Sequence, residues 1–181
     1  TLPDIDCTYH DFRDSDINDY LPAAESLAGQ GCQLLRMGSA VAKPLPYETS
    51  MIIDYAVNYR SELLDLHLLA HCRFFLSGGS GIDAVATVFR RPIVFVNWIP
   101  LRHAVTVQRN ALIVFKLLWK RAEHRYLTLR EMFAPELLAC YRGQGYEDQG
   151  LDVVDTSPDD IRDAALEMEA RLSGAWVDQD G

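Results

Sequence analysis

The sequence has few cysteines and no long hydrophobic run, and each shortage excludes a class of protein. The four cysteines, Cys7, Cys32, Cys72 and Cys140, are widely spaced and form no Cys-x-x-Cys pair. This spacing argues against a disulfide framework and against a zinc site, so we expect reduced thiols in a cytoplasmic protein. No segment approaches the ~20 apolar residues of a membrane span, and no signal-peptide pattern is present, so we expect no integral membrane segment.

Basic residues are also in short supply. The chain has 17 Lys and Arg against 26 Asp and Glu, which gives a formal net charge of −9. Broad nucleic-acid binding needs a basic face, so we expect no nucleic-acid partner. Most of the arginines fall between Arg60 and Arg130, whereas the last 35 residues are rich in carboxylates. An acidic protein with a locally basic centre can still bind a phosphorylated small molecule.

Several catalytic and metal-binding motifs are missing. The Gly-rich run at residues 77–81 is neither a Walker A loop, because no Gly-Lys-Ser/Thr follows, nor a nucleophile elbow. Asp14 and Asp16 have the spacing of an Asp-x-Asp metal motif but lie in an irregular opening segment. His67 and His71 are four residues apart, yet Leu68 and Leu69 between them favour a packed helix. We therefore predict no metal site and no cofactor.

The 181 residues fit one domain, and we assign residues 1–181 to it. Helical periodicities alternate with short apolar runs along the chain. The order predicts an α/β fold of Rossmann-like type, with a mainly parallel sheet flanked by helices. The clearest helix signals are two. Thr128 with Glu131 is a capping box, which predicts a helix from Thr128 to about Tyr141, and Ser157 with Pro158 is an N-cap followed by proline.

The most informative segment is the run from Phe74 to Asn97. It predicts a buried strand, a Gly-rich turn, a helix capped by Ser80 and a second buried strand. A strand-helix-strand crossover of this kind makes the two strands parallel. The segment from Asn97 to Asn110 is predicted as a loop, and the segment from Gly143 to Gly150 as another.

Two interpretations of the turn remain open. The glycines at 78, 79 and 81 let backbone approach a ligand closely, and the following helix N-terminus suits a phosphate. The turn also lies where open α/β sheets bind ligands. Alternatively, the glycines only make a tight turn. Two other residues also have two possible roles. Arg36, at a predicted strand end, either pairs with a diphosphate or forms an ion pair within the protein. Asn97 either contacts a ligand or caps a loop.

An ordered set of segments resembles one family across nearly the whole chain. The segments are Arg13…Asp16-Ile17…Tyr20, Leu35-Arg36-Met37-Gly38, Ile53-Asp54-Tyr55-Ala56, Arg60-Ser61-Glu62-Leu63-Leu64-Asp65, Cys72-Arg73-Phe74-Phe75, Gly79-Ser80-Gly81, Phe89-Arg90-Arg91-Pro92-Ile93-Val94-Phe95-Val96-Asn97, and Glu167-Met168…Arg171-Leu172-Ser173-Gly174. Their order is similar to the C-terminal half of bacterial glycosyltransferases encoded with surface-polysaccharide genes.

The resemblance implies one half of a GT-B-type architecture, in which the C-terminal half binds a nucleoside-diphosphate sugar. It places the donor contacts at Ser77, Gly79, Ser80 and Gly81, with Arg36 and Asn97 as further candidates. The implied reaction is transfer of the sugar to a hydroxyl acceptor in surface-polysaccharide synthesis.

The resemblance also implies what this chain lacks. The acceptor half, which often carries the catalytic base, has no counterpart here, so we expect a fragment of a longer two-domain protein. Its partners would be the donor and either the missing acceptor domain or a second copy of the chain. Two alternatives stay open: an epimerase-like enzyme acting on nucleotide-sugars, and a non-catalytic Rossmann-like interaction domain.

Overall fold

Alternating helices and strands are present in the computed structural model, which describes residues 12–41, 43–104, 108 and 110–177. A 3-10 helix spans Ile17–Tyr20. The α-helices are α1 (Leu21–Gly29), α2 (Tyr55–Asn58), α3 (Glu62–His71), α4 (Asp83–Val88), α5 (Leu129–Met132), α6 (Pro135–Leu138), α7 (Gly143–Glu147) and α8 (Pro158–Ser173). The strands are β1 (Leu34–Leu35), β2 (Ile52–Ile53), β3 (Phe75–Ser77), β4 (Ile93–Trp98), β5 (Ala111–Phe115), β6 (Leu117–Lys120), β7 (Arg125–Tyr126) and β8 (Leu151–Val154).

The strands form three small sheets within the described residues. β1 pairs with β2 in parallel, and β3, β4 and β5 form a parallel sheet in that order. The predicted crossover is confirmed, because β3 and β4 run parallel with Phe75 opposite Ile93. The fold is thus α/β with parallel sheets flanked by helices, which is consistent with a Rossmann-like arrangement. The assignment of residues 1–181 to one domain stays a prediction.

An antiparallel sheet is the part of the topology that the sequence analysis missed. β6 pairs with β7 and with β8, both antiparallel. The apolar run that begins at Ala111 forms two strands, β5 and β6, which are separated at Lys116. The buried Lys116 side chain, 2% exposed, separates the end of β5 from the start of β6.

Apolar side chains cover both faces of the parallel β3–β4–β5 sheet. On one face, Val94 and Val96 of β4 pack with helices α1 and α8. On the other face, Ile93 and Phe95 pack with residues of α3 and α4. This two-sided burial explains the continuous apolar run of β4, since no side of the strand faces water.

Helix ends follow the local signals in most places. Thr128 and Glu131 form the predicted capping box, and the Ser157 side chain accepts from the Asp160 backbone N–H. Gly174 ends α8 with φ of 76°, a left-handed conformation that glycine adopts without a Cβ clash.

Three predicted boundaries are wrong. Ser80 is not the N-cap of α4, which begins at Asp83 after Ile82. The predicted loop at 143–150 contains α7, and the helix predicted from Thr128 to about Tyr141 divides into α5 and α6. That helix breaks because Pro135 disfavours helical backbone at the preceding residue, Ala134.

Candidate functional site

The Gly-rich turn connects the carboxyl end of β3 to α4. Gly79 has φ of +81°, a left-handed conformation that favours glycine. A Cβ placed on Gly79 would lie 3.5 Å from the Trp98 ring, so the indole lies directly against the turn. Trp98 is the last residue of the neighbouring parallel strand β4. The turn therefore lies beside the carboxyl end of the adjacent strand, where open α/β sheets bind ligands.

Asp83 organises the turn from within. It is 9% exposed, and its carboxylate accepts a hydrogen bond from the Ser77 hydroxyl and a longer one, 3.4 Å, from the Ser80 hydroxyl. The Ser77 oxygen in turn accepts from the Gly79 backbone N–H at 3.0 Å. Burial raises the pKa of Asp83 to about 6, although hydrogen bonds from Ser77 and Ser80 partly oppose that rise. The Asp83 carboxylate therefore already accepts hydrogen bonds from the two serine hydroxyls of the turn.

The outer side of the turn is open. Gly79, Ser80 and Gly81 are exposed, and a Cβ placed on Gly81 would meet no atom within 4 Å. Gly81 also has no left-handed backbone that would require glycine. The space next to Gly81 is thus free for a ligand, and a side chain at this position would extend into that space.

Tyr20 packs against the inner side of the same turn. A Cβ on Gly78 would lie only 2.7 Å from the Tyr20 hydroxyl oxygen and 3.2 Å from the Ser15 hydroxyl oxygen. The two hydroxyls are hydrogen-bonded at 3.0 Å. Burial raises the pKa of Tyr20, and hydrogen bonding to Ser15 and Asn97 partly offsets it. Gly78 is therefore the position in the turn at which the packing of Tyr20 and Ser15 leaves no room for a Cβ.

Asn97 is buried beneath this edge of the sheet. It is 1% exposed, and its φ of 54° is left-handed, which is uncommon for a non-glycine residue. Its side-chain Oδ1 accepts from the Thr156 backbone N–H at 2.6 Å, which ties β4 to the segment before α8. Nδ2 makes no well-formed hydrogen bond with the described residues. In this conformation Asn97 positions the strand end and is not accessible to a ligand.

Arg36 forms an ion pair with Asp54. One guanidinium nitrogen, Nη1, lies 3.0 and 3.2 Å from the two carboxylate oxygens, and the side chains are 11% and 2% exposed. The other nitrogen, Nη2, donates to the Lys43 carbonyl at 3.2 Å. Asp54 also accepts from the Leu45 backbone N–H at 2.8 Å. This geometry corresponds to the ion-pair alternative, and the pair holds the loop that follows β1.

The structure brings most of the predicted site residues together. Ser77, Gly79, Ser80, Gly81 and Asn97 lie at the carboxyl ends of the adjacent strands β3 and β4. Arg36 follows β1, in a sheet that has no described hydrogen bonds to β3.

Sequence reasoning missed Asp83 and Trp98. The spacing Ser80-Gly81-Ile82-Asp83 is that of a polar residue followed three positions later by an acid, so it could have indicated Asp83. No sequence signal indicated that the Trp98 indole would lie against Gly79.

Within the described ranges, no group of three or more His, Cys, Asp or Glu side chains is arranged to hold a metal ion. His67 and His71 lie on the exposed side of α3 with ring centroids 4.4 Å apart. The three described cysteines, Cys32, Cys72 and Cys140, are free thiols, and Cys7 lies outside the described residues. Burial raises the pKa of the Cys72 and Cys140 thiols.

Comparison of the chain with protein-family models, with curated proteins and with solved structures gave no match. Among the helices of the described residues, none has the length and apolar content needed to cross a bilayer.

Proposed function

We propose that this chain is the donor-binding domain of a glycosyltransferase and binds a nucleoside-diphosphate sugar at the carboxyl edge of the β3–β4–β5 sheet. One observation supports this most directly: the exposed residues Gly79–Gly81 lie at the carboxyl end of β3, between β3 and α4, and leave open space at Gly81. The ordered resemblance to bacterial glycosyltransferases, half of a GT-B-type architecture, supports the same assignment. The site of action would be the cytoplasm.

The diphosphate would lie along the outer side of the turn. The Gly81 backbone N–H makes no hydrogen bond among the described residues, so it is free to donate to a phosphate oxygen. Ser80 is less suited, because its hydroxyl is directed to Asp83. The six-residue α4 adds little dipole, and Asp83 already occupies its first turn. The Gly81 backbone N–H, and not the helix end, therefore carries the proposed contact.

In the proposed reaction the bond between the sugar's anomeric carbon and the diphosphate oxygen breaks, and the acceptor hydroxyl forms a new bond to that carbon. The acceptor hydroxyl loses its proton to a base. Asp83 does not suit that role, because it is buried and accepts hydrogen bonds from Ser77 and Ser80. The base and the acceptor half would come from another domain.

A specific observation favours a second candidate, an interaction domain. Helices α3 and α4 expose large apolar side chains, of which Leu63 is 79% exposed and Val88 is 76% exposed. The two helices are in contact, and exposed apolar side chains on neighbouring helices are typical of surfaces that bind another protein. The epimerase-like alternative has no such support, because Asp83, the carboxylate that accepts hydrogen bonds from the serines of the turn, is buried.

Isothermal titration calorimetry with UDP, GDP, CDP and dTDP tests the donor assignment. We expect one of these nucleotides to bind, and Gly81→Val to abolish binding while the variant keeps the parent melting temperature. Gly29→Val is the matched control, since a Cβ placed on Gly29 would also meet no atom within 4 Å and Gly29 has no left-handed φ. Absence of binding by all four nucleotides at millimolar concentration would contradict the proposal.

A further inference from the structure

A second concave site lies away from the glycine turn. It has a volume of about 710 Å³ and is lined by Phe12, Asp14, Lys116 and residues of α7 and β8. This volume falls within the range of roughly 300–1,000 Å³ that small-molecule sites occupy. The cavity and the turn are joined by one short segment, because Asp14 lines the cavity and Tyr20 packs against Gly78.

Carboxylates outnumber cations in the lining. The charged lining residues are Asp14, Glu147, Asp152, Asp155, Lys116 and Arg142. With four acids and two bases, the formal charge of the lining is −2. Both described contacts of the Lys116 ammonium are made within the protein: Nζ lies 2.7 Å from the Asp155 carboxylate and 2.7 Å from the Asp14 carbonyl oxygen. The lining therefore disfavours phosphates and other anions.

One buried donor that lines the cavity has no described acceptor. Tyr146 lines the cavity, is 0% exposed, and its hydroxyl makes no hydrogen bond with the described residues. Burial raises the pKa of Tyr146, so the hydroxyl keeps its proton at physiological pH. Buried polar groups normally have partners, so a ligand oxygen would complete this site.

An aromatic surface completes the cavity. The Phe12 ring lies 5.9 Å from the Tyr146 ring and lines the same space. Gln144 adds an exposed amide beside it. An apolar ring face with carboxylates, an amide and a phenol suits a ligand that has an apolar face and many hydroxyls, because carboxylates accept hydrogen bonds from hydroxyls.

We propose that this cavity binds a neutral, hydroxyl-rich glycoside. Glycoside binding at this cavity does not depend on the proposed transferase function. The charge of the lining separates the two ligands: the nucleotide is anionic and binds at the turn, and the neutral sugar binds in the cavity.

Ligand-detected NMR on the full chain tests the proposal with methyl β-glucoside, methyl β-galactoside, the methyl β-glycoside of N-acetylglucosamine, and methyl β-glucuronide. We expect a neutral glycoside to bind and the anionic glucuronide to bind at least about tenfold more weakly. Glu147→Lys should strengthen glucuronide binding. Glu136→Lys, an exposed acid outside the cavity, is the charge-matched control and should not.

Tyr146→Phe removes only the unpaired hydroxyl. We expect weaker binding of the neutral glycoside, by about fivefold to tenfold, with an unchanged or higher melting temperature. Should that variant fail to fold, Gln144→Ala changes an exposed residue of the same lining and should weaken binding. The proposal is wrong if no neutral glycoside binds, if the glucuronide binds equally well, or if the folded lining variants bind like the parent.

Nucleotide calorimetry on the same samples keeps the two proposals distinguishable. Glycoside binding without nucleotide binding would support the cavity and contradict the donor assignment. Nucleotide binding without glycoside binding would support the donor assignment and contradict the cavity proposal. Displacement of the glycoside by a nucleoside diphosphate at the same site would overturn the inference of two separate sites.

Discussion

The Ser77 hydroxyl donates a hydrogen bond to the Asp83 carboxylate across the glycine turn, and both residues are buried. The last residue of β3 is thereby linked to the first residue of α4. Because the pKa of Asp83 is raised to about 6, the turn contains a group that titrates close to neutral pH. The stability of the turn should therefore depend on the protonation of Asp83.

Asp83 should make folding stability depend on pH in a defined window. The folded pKa of about 6 lies above 3.8, the ordinary value for an aspartate, so the folded state binds more protons between these values. The stabilising contribution is complete below about pH 4 and is lost as the pH rises through about 6. The total loss is up to about 3 kcal/mol.

Urea denaturation of the parent and of Asp83→Asn across this range measures the contribution. The difference in unfolding free energy, parent minus variant, should fall between about pH 4 and pH 6 and then level off. Asp159→Asn, an exposed carboxylate on α8, is the control for general charge effects. A parent-minus-variant difference that does not change with pH would show that Asp83 has an ordinary pKa.

The two serines of the turn should differ in importance. Ser77→Ala removes a hydroxyl that contacts both Asp83 and the Gly79 N–H, so we expect a loss of about 1–3 kcal/mol of unfolding free energy. Ser80→Ala removes one long hydrogen bond from an exposed residue and should cost less than about 1 kcal/mol. Thermal denaturation of both variants provides the comparison. Equal effects, or a larger effect at Ser80, would show that Ser80 supports the helix as the sequence predicts.

Arg36 should be required mainly for folding. Arg36→Ala leaves the Asp54 carboxylate buried without its cation, so we expect a loss of about 3–5 kcal/mol. In a double-mutant cycle, Arg36→Ala with Asp54→Asn should cost less than the sum of the single changes. Arg162→Ala breaks exposed ion pairs and should cost about 1 kcal/mol or less. A small effect of Arg36→Ala on stability with loss of nucleotide affinity would instead assign Arg36 to the donor site.

Gly78 and Tyr20 should be energetically coupled. Gly78→Ala places a Cβ 2.7 Å from the Tyr20 hydroxyl oxygen, so we expect a loss of about 1–3 kcal/mol. Tyr20→Phe removes that oxygen, so the double variant should lose less than the two single variants together. Gly81→Ala is the control, since its Cβ meets nothing and the change should fall within about 0.5 kcal/mol. Additive losses in the double variant would exclude the contact.

Local signals predict much of this fold. The crossover at residues 74–97 follows from two apolar runs separated by a helical face, and α8 follows from its N-cap, its proline and its apolar stripe. The antiparallel sheet was not predictable in this way. Lys116 looks like part of one apolar strand in the sequence, and only long-range contacts with Asp14 and Asp155 explain its burial and the break.

The candidate site, like the fold, could be predicted only in part from the sequence. The sequence predicts the position of the glycine turn, because a run of glycines between a predicted strand and a predicted helix is typical of a tight turn. The residues that pack against the turn could not be predicted from the sequence, because Tyr20 and Trp98 contact it from other parts of the chain. Arg36 remained ambiguous for the same reason: its partner, Asp54, lies 18 residues away.

The most direct test of the donor-site proposal is an NMR titration of ¹⁵N-labelled protein with the nucleoside diphosphate that binds best. We expect saturable shifts of the backbone amides of Gly79, Ser80 and Gly81, lost in Gly81→Val and kept in Gly29→Val. Saturable shifts confined to other residues, or none at all, would contradict the assignment of the glycine turn as the donor site.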